Sequence, residues 1–319
     1  MTIPNLITSM SRTDLIVFGV TMLGVLVLSI SVLSISVLSI TVLIPGTSYP
    51  PEPKIHASLV QTADTLSTNR MNTNKASDIT SKIPPTSALE SSAYPSTLPD
   101  FSAIKDVRTK KQIFFNYMLP KVRQANDKIL ADRRLLMMIR DDLSTGDTLD
   151  QDDIQFISAL KTRYRARQQT NLSETVDALL IRVDVVPESL VLAQAANESG
   201  WGTSRFATQA NNLFGIWCFS EGCGLTPKNR DEGLTHEVAK YETVQEGLVA
   251  YIHTINTNPA YIHLRDIRAA KRSQALHFSG VALAEGLLRY SSRGIDYVRD
   301  IQQLIRVNEL QKYTLPLQA

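Results

Sequence analysis

The stretch Ala195-Ala196-Asn197-Glu198-Ser199-Gly200-Trp201-Gly202 places one carboxylate where a helix of small residues is about to stop. Upstream, Pro187 suits a first helical turn, where its missing N–H costs nothing. Residues 188–197 are rich in Leu and Ala and read as helix, with Gly200 as the stop. Glu198 then falls at the C-terminal end, where the helix dipole disfavours negative charge. Partial burial acts in the same direction, so the position favours a carboxylic acid that keeps its proton toward neutral pH. Cleavage of a glycosidic bond needs such a group at the leaving oxygen. The plain alternative is a capping or surface Glu.

Outward from this point, the most marked feature lies at the other end of the chain. Within the 319 residues, residues 15–44 contain no charged side chain and are mostly Leu, Val and Ile with interspersed Ser. The pentad Leu-Ser-Ile-Ser-Val starts at Leu28 and Leu33, and recurs with Thr41 at Leu38. At about 1.5 Å per residue the segment exceeds a hydrocarbon core of about 30 Å, so it reads as one transmembrane anchor. It is too long for a signal peptide, lacks a small-x-small cleavage site, and no Cys follows it for a lipid anchor. Arg12 before the span favours a cytoplasmic residue 1–14 segment and an exported remainder, although Asp14 opposes it. Residues 45–100 are dominated by Ser, Thr and Pro and cannot bury enough apolar surface to order themselves, so they read as a disordered, extended linker. The net charge of +2, with no basic run, gives no support to a nucleic-acid partner.

Beyond residue 101 the pattern is mainly α. Ile113, Phe114, Tyr117 and Met118 share a helical face up to a break at Leu119-Pro120, and residues 122–143 continue as an amphipathic helix. Ile154, Ile157, Leu160 and Tyr164 mark another, and Leu179, Leu180 and Ile181 a third. A loop around residues 211–224 and a strand-like run at 236–244 interrupt the helices, which resume at 245–256, 260–270, 282–290 and 294–307. Cys218 and Cys223 are too far apart for a redox Cys-x-x-Cys and have no zinc-completing partners. In an exported domain they are expected to form a small disulfide loop, free thiols being the alternative. His253, His263 and His277 sit on helical patterns as structural or exposed residues, and the reading includes no metal and no cofactor.

Residues 193–202, with Asn212-Leu213-Phe214-Gly215, resemble the bacterial β-N-acetylglucosaminidase family that includes flagellar peptidoglycan hydrolases and autolysins. Within it the chain resembles the Bax-like proteins, through Lys110-Lys111-Gln112-Ile113-Phe114-Phe115, Leu119-Pro120, Ile216-Trp217-Cys218 and Gly222-Cys223-Gly224. His236-Glu237-Val238, Asn258-Pro259-Ala260-Tyr261 and Tyr290-Ser291-Ser292-Arg293-Gly294 complete the series. The resemblance implies a lysozyme-like α+β fold, a helical body with a small β lobe, at residues 176–310. A helical extension at 101–175 would precede it and a tail at 311–319 would follow. It also implies hydrolysis of the β-1,4 bond after N-acetylglucosamine in peptidoglycan. Together with the apolar 15–44 segment, the expectation is a monomeric catalytic domain held at the inner membrane and facing the periplasm.

In the same resemblance Glu198 is the general acid, and Tyr290 matches the tyrosine of a Tyr-Ala-Thr motif, here Tyr-Ser-Ser. The second carboxylate falls among Asp231, Glu232, Glu237 and Glu242. Glu237 is favoured, because in a strand it shares a face with Ala239 and Tyr241. Its alternatives are a purely structural role within the lobe, or a substrate whose N-acetyl group replaces a protein nucleophile. Ser199, Trp201, Asn212, Phe214 and Tyr261 are the expected substrate contacts, with Trp217 a further aromatic, and Asn212 is the main polar candidate. Each aromatic has core packing as its alternative, Trp201 under the helix end above all. Two other functions fit the same residues: a lytic transglycosylase, or a catalytically weak wall-binding scaffold.

Overall fold

A computed structural model describes residues 97–166, 169, 171–228, 230, 233–274 and 279–315. The expected cytoplasmic segment, the anchor, nearly all of the linker and residues 316–319 of the expected 311–319 tail lie outside these residues, as do Asp231, Glu232 and His277. Among the described residues no helix is long and apolar enough to cross a membrane.

Helix α1, Val107–Thr145, is a single element of 39 residues. Asp106 caps it by accepting the Thr109 N–H, and Gly146 ends it in the left-handed region. The expected break at Pro120 is absent. Proline frees the carbonyl four residues earlier, and that carbonyl belongs to Asn116, which is exposed to solvent. Phe114, Phe115, Tyr117, Met118, Val122 and Ala125 meanwhile bury one continuous face across the proline. Packing on both sides of Pro120 outweighs the lost hydrogen bond.

Helices α2 (Gln151–Arg163) and α3 (Leu172–Arg182) pack with the C-terminal half of α1 around Leu136, Ile139, Leu160 and Leu179. The larger core surrounds α4, Glu188–Ser199. Almost every side chain of α4 is buried, polar Gln194 included, as expected for a helix without a polar face. Pro187 occupies the N-cap position rather than the first turn. Helix α5 (Arg205–Ala210) follows. Three short strands then form an antiparallel sheet in the order β1-β3-β2: β1 (Trp217–Cys218), β2 (Gly224–Leu225) and β3 (Glu237–Ala239). Val238 lies between Trp217 and Leu225. The expected strand at 236–244 is thus reduced to three residues. At Gly224 an added Cβ would fall on the Val238 carbonyl, so only glycine permits this close pairing.

Helix α6 (Val244–Thr257), a 3₁₀ turn at Pro259–Tyr261, α7 (Ile262–Ser273), α8 (Gly280–Leu283) with a 3₁₀ turn at Ala284–Leu287, α9 (Ile295–Val307) and a 3₁₀ turn at Leu310–Tyr313 follow. The expected helix at 282–290 is these two short turns rather than one element.

One buried charge cluster holds the segment that leads into α4. Asp184 receives paired hydrogen bonds from Arg272 Nε and Nη2 at 2.8 and 2.6 Å. Arg133 and Arg268 approach the same carboxylate at 3.5 and 3.7 Å. Arg268 also donates to the carbonyls of Ile181, Asp184 and Val185 and to Asn256. The cluster ties α1 and α7 to the chain just before the helix that carries Glu198.

Candidate active site around Glu198

Glu198 closes α4 in a Schellman turn. Gly200 adopts φ 55° and donates toward Asn197, while the Trp201 N–H reaches the Ala196 carbonyl. Ser199 reinforces the turn, its hydroxyl donating to the Ala195 carbonyl and accepting the Gly202 N–H. Trp201 is also left-handed, at φ 60°, an unfavourable conformation for a bulky residue. Its ring packs edge-on against Phe114 and Phe115, with Lys111 Nζ 5.0 Å from the ring centre. Ser199 and Trp201, both expected to meet substrate, are therefore engaged in holding the acid's turn against α1.

The half-buried Glu198 carboxylate accepts two donors on one oxygen. Tyr297 O–H and Asn197 Nδ2 reach Oε1 at 2.7 and 3.1 Å. Behind Tyr297, Gln194 Nε2 donates to the Tyr297 hydroxyl at 2.9 Å, and the Tyr251 hydroxyl donates to Gln194 Oε1. Tyr290 stacks on Tyr297 with ring centres 5.4 Å apart and donates its hydroxyl to the Phe214 carbonyl at 2.8 Å, not to Glu198. Tyr261 lies 5.8 Å from Tyr290, ring to ring. Phe214 is buried and stacks on Tyr251 at 4.1 Å.

Burial first, then the Glu198 charge, raises Tyr261 to about 12. Burial also pushes Tyr251, Tyr290 and Tyr297 well up, with the Glu198 charge contributing to each. All four phenols therefore keep their protons through the neutral range and surround the acid as neutral groups.

Asn212 is 2% exposed, and both ends of its amide are occupied. Nδ2 donates to the carbonyls of Ile216 and Ala239, and Oδ1 accepts from the N–H groups of Phe214 and Ile216. It pins the 212–216 loop to β3 and has nothing left for a sugar.

The β lobe is closed by a Cys218–Cys223 disulfide spanning five positions. Glu237 accepts the Gly222 N–H on one oxygen at 3.2 Å and the Gly224 N–H on the other at 2.7 Å. Cys218, Cys223 and Glu237 lie within 4.8 Å of one another, but the sulfurs are joined and the carboxylate is engaged, so the three make a structural knot. Glu242 is exposed, its backbone bonded to Asn211 and Glu246. Trp217 stacks on His236 at 3.9 Å and stays 53% exposed, with Phe219 61% exposed beside it. These two rings, with Leu234, are large apolar side chains that the lobe exposes among the described residues. Replacing Cys218 with Ser is expected to lower stability by about 2 kcal/mol, from the loop-closure entropy of so short a ring. A urea unfolding midpoint shared with the wild type would show that Glu237 holds the loop alone.

Residues 173–310 match the glucosaminidase family, described as mannosyl-glycoprotein endo-beta-N-acetylglucosaminidase. Protein bax of Escherichia coli (strain K12) is 32% identical over 209 residues, 65% of this chain and 72% of that protein. The chain is a Bax-like member of the glucosaminidase family. It is thereby a glycoside hydrolase. Peptidoglycan hydrolase FlgJ of Escherichia coli is 29% identical over 133 residues, 38% of this chain and 42% of FlgJ. The catalytic domain of the autolysin Auto from Listeria monocytogenes covers 66% of this chain and 92% of its own, at 19% identity and a TM-score of 0.36. That likeness is too distant to transfer geometry.

Within this glucosaminidase, sequence reasoning missed Tyr297, Gln194 and Tyr251. Gln194 had a local signal, since it precedes Glu198 by one helical turn and shares its face. Tyr297 had none, because its bond to Glu198 spans 99 positions.

Proposed function

We propose that this glucosaminidase cleaves the β-1,4 bond after N-acetylglucosamine in peptidoglycan strands, with Glu198 as general acid. The observation that carries the reading is the buried tyrosine shell around one half-buried carboxylate at the end of α4. In this reading Glu198 gives its proton to the glycosidic oxygen as the C–O bond breaks, and recovers one from the water that completes hydrolysis. The match of FlgJ, a peptidoglycan hydrolase by name, over 133 residues supports the substrate class.

Both Glu237 oxygens are occupied by backbone donors, which favours the structural role over a catalytic one. The attack on the anomeric carbon then falls to the substrate's own N-acetyl group, as in substrate-assisted glycosidases. Tyr290 supports the site by holding the Phe214 carbonyl and stacking on Tyr297, and Tyr261, packed beside Tyr290, is the phenol this reading gives to the sugar. The exposed Trp217 offers a stacking face on the β lobe. Residues 15–44, uncharged and apolar, support a single inner-membrane anchor, with the catalytic part in the periplasm and the 45–100 segment as tether.

Purified sacculi incubated with the full-length protein are expected to release soluble muropeptide-bearing fragments. Intact sacculi after prolonged incubation with folded protein would contradict the proposal and favour a wall-binding scaffold.

A further inference from the structure

We infer that Tyr251, Gln194 and Tyr297 form a one-way hydrogen-bond relay that confines the acidic proton of Glu198 to its Oε2 oxygen. The inference rests on the reading of Glu198 as general acid. It follows from which atoms can donate. A glutamine carbonyl oxygen only accepts, so the proton between Tyr251 and Gln194 belongs to Tyr251. A glutamine NH₂ only donates, so the proton between Gln194 and Tyr297 belongs to Gln194. The Tyr297 oxygen is then an acceptor on that side, and its single proton has one partner left, Glu198 Oε1.

Asn197 Nδ2 donates to the same oxygen. An oxygen facing two donors has no room for a proton of its own, whereas Oε2 has no hydrogen-bond partner among the described residues. The protonated carboxyl group therefore carries its hydrogen on Oε2, the atom available to a leaving group.

The relay is held rigidly. Gln194 and Tyr251 are fully buried and Tyr297 is 2% exposed, so the chain of bonds is shielded from solvent. Stacking on Tyr290 and on Phe214 fixes the rings of Tyr297 and Tyr251. The groups facing Glu198 are the phenols of Tyr251 from α6, Tyr261 from the 3₁₀ turn, Tyr290 from the segment before α9 and Tyr297 from α9, together with the neutral amide of Asn197. In this shell the relay and the Asn197 amide are the donors aimed at Oε1. Tyr251, Gln194 and Tyr297 are thus positioning residues that act through Glu198.

The test is the pH dependence of kcat/KM for release of soluble fragments from purified peptidoglycan, measured on full-length wild type, Tyr297→Phe, Gln194→Met, Tyr251→Phe and Glu198→Gln. A general acid fails above the pH at which it ionises, so its ionisation sets the alkaline limb. Tyr297→Phe keeps the ring stack and removes one donor to a charged acceptor, so the alkaline limb is expected to move up by about one pH unit. Gln194→Met and Tyr251→Phe, which leave the Tyr297 proton undirected, are expected to move it the same way by less. Each is expected to lower kcat with KM little changed.

Limbs that coincide with the wild type in Tyr297→Phe and Gln194→Met, with activity lowered evenly at all pH values, would overturn the relay. Wild-type activity in Glu198→Gln would instead remove the reading beneath it. Should Tyr297→Phe fail to give a folded circular dichroism spectrum, the shift in Gln194→Met and Tyr251→Phe decides the matter.

Discussion

Glu198→Gln is expected to lower kcat on peptidoglycan by about 10²–10⁴-fold, the usual contribution of a positioned general acid. The amide keeps the shape of the side chain and can still accept the Tyr297 proton. The fold is therefore expected to survive, with a thermal midpoint near that of the wild type. That pairing separates chemistry from stability: activity collapses while unfolding barely moves. A variant with nearly wild-type turnover would show that some other group protonates the leaving oxygen. A variant that lost activity and stability together would point to a structural role for the carboxylate.

The largest stability effect is expected at Asp184. Replacing it with Asn leaves Arg133, Arg268 and Arg272 without the carboxylate they share, and Arg268 is fully buried. Breaking such a cluster by removing its anion is expected to cost about 3–5 kcal/mol, read from urea denaturation. Burial alone would raise the Asp184 pKa, but the Arg272 hydrogen bonds and the charges of Arg268 and Arg133 outweigh it and hold it below the ordinary carboxylate value. A group depressed in the folded state stabilises above its unfolded value, near about 4, and that stabilisation is lost as pH falls through the folded value. The wild type should therefore lose stability in acid more steeply than Asp184→Asn. Equal acid slopes would remove Asp184 as the linked group.

The contrast between these two sites shows what can be read from the chain before folding. The helix carrying Glu198 and its stop at Gly200 were legible, since Leu, Ala and Gly act through their own backbone preferences within a few residues. The helical pattern at 245–256 and 294–307 appeared at nearly those limits for the same reason. The Pro120 break was misread, because the local cost of proline was visible and the buried face spanning it was not. Asn212 looked like a polar contact for a sugar, yet its four partners are backbone groups that exist only once the loop has folded back on β3. Tyr297, which reaches Glu198, and the arginines around Asp184 lie tens of positions from these carboxylates and leave no periodicity to find. Glu237 stood out in the sequence only as a carboxylate on a strand, while its engagement by Gly222 and Gly224 depends on how the disulfide loop closes.

The most direct test is mass spectrometry of the fragments that the full-length protein releases from purified peptidoglycan, read at their reducing ends. Hydrolysis after N-acetylglucosamine predicts N-acetylglucosamine at the new reducing end, with one water added per bond broken. Anhydro-muramic ends, or reducing ends of N-acetylmuramic acid, would contradict it.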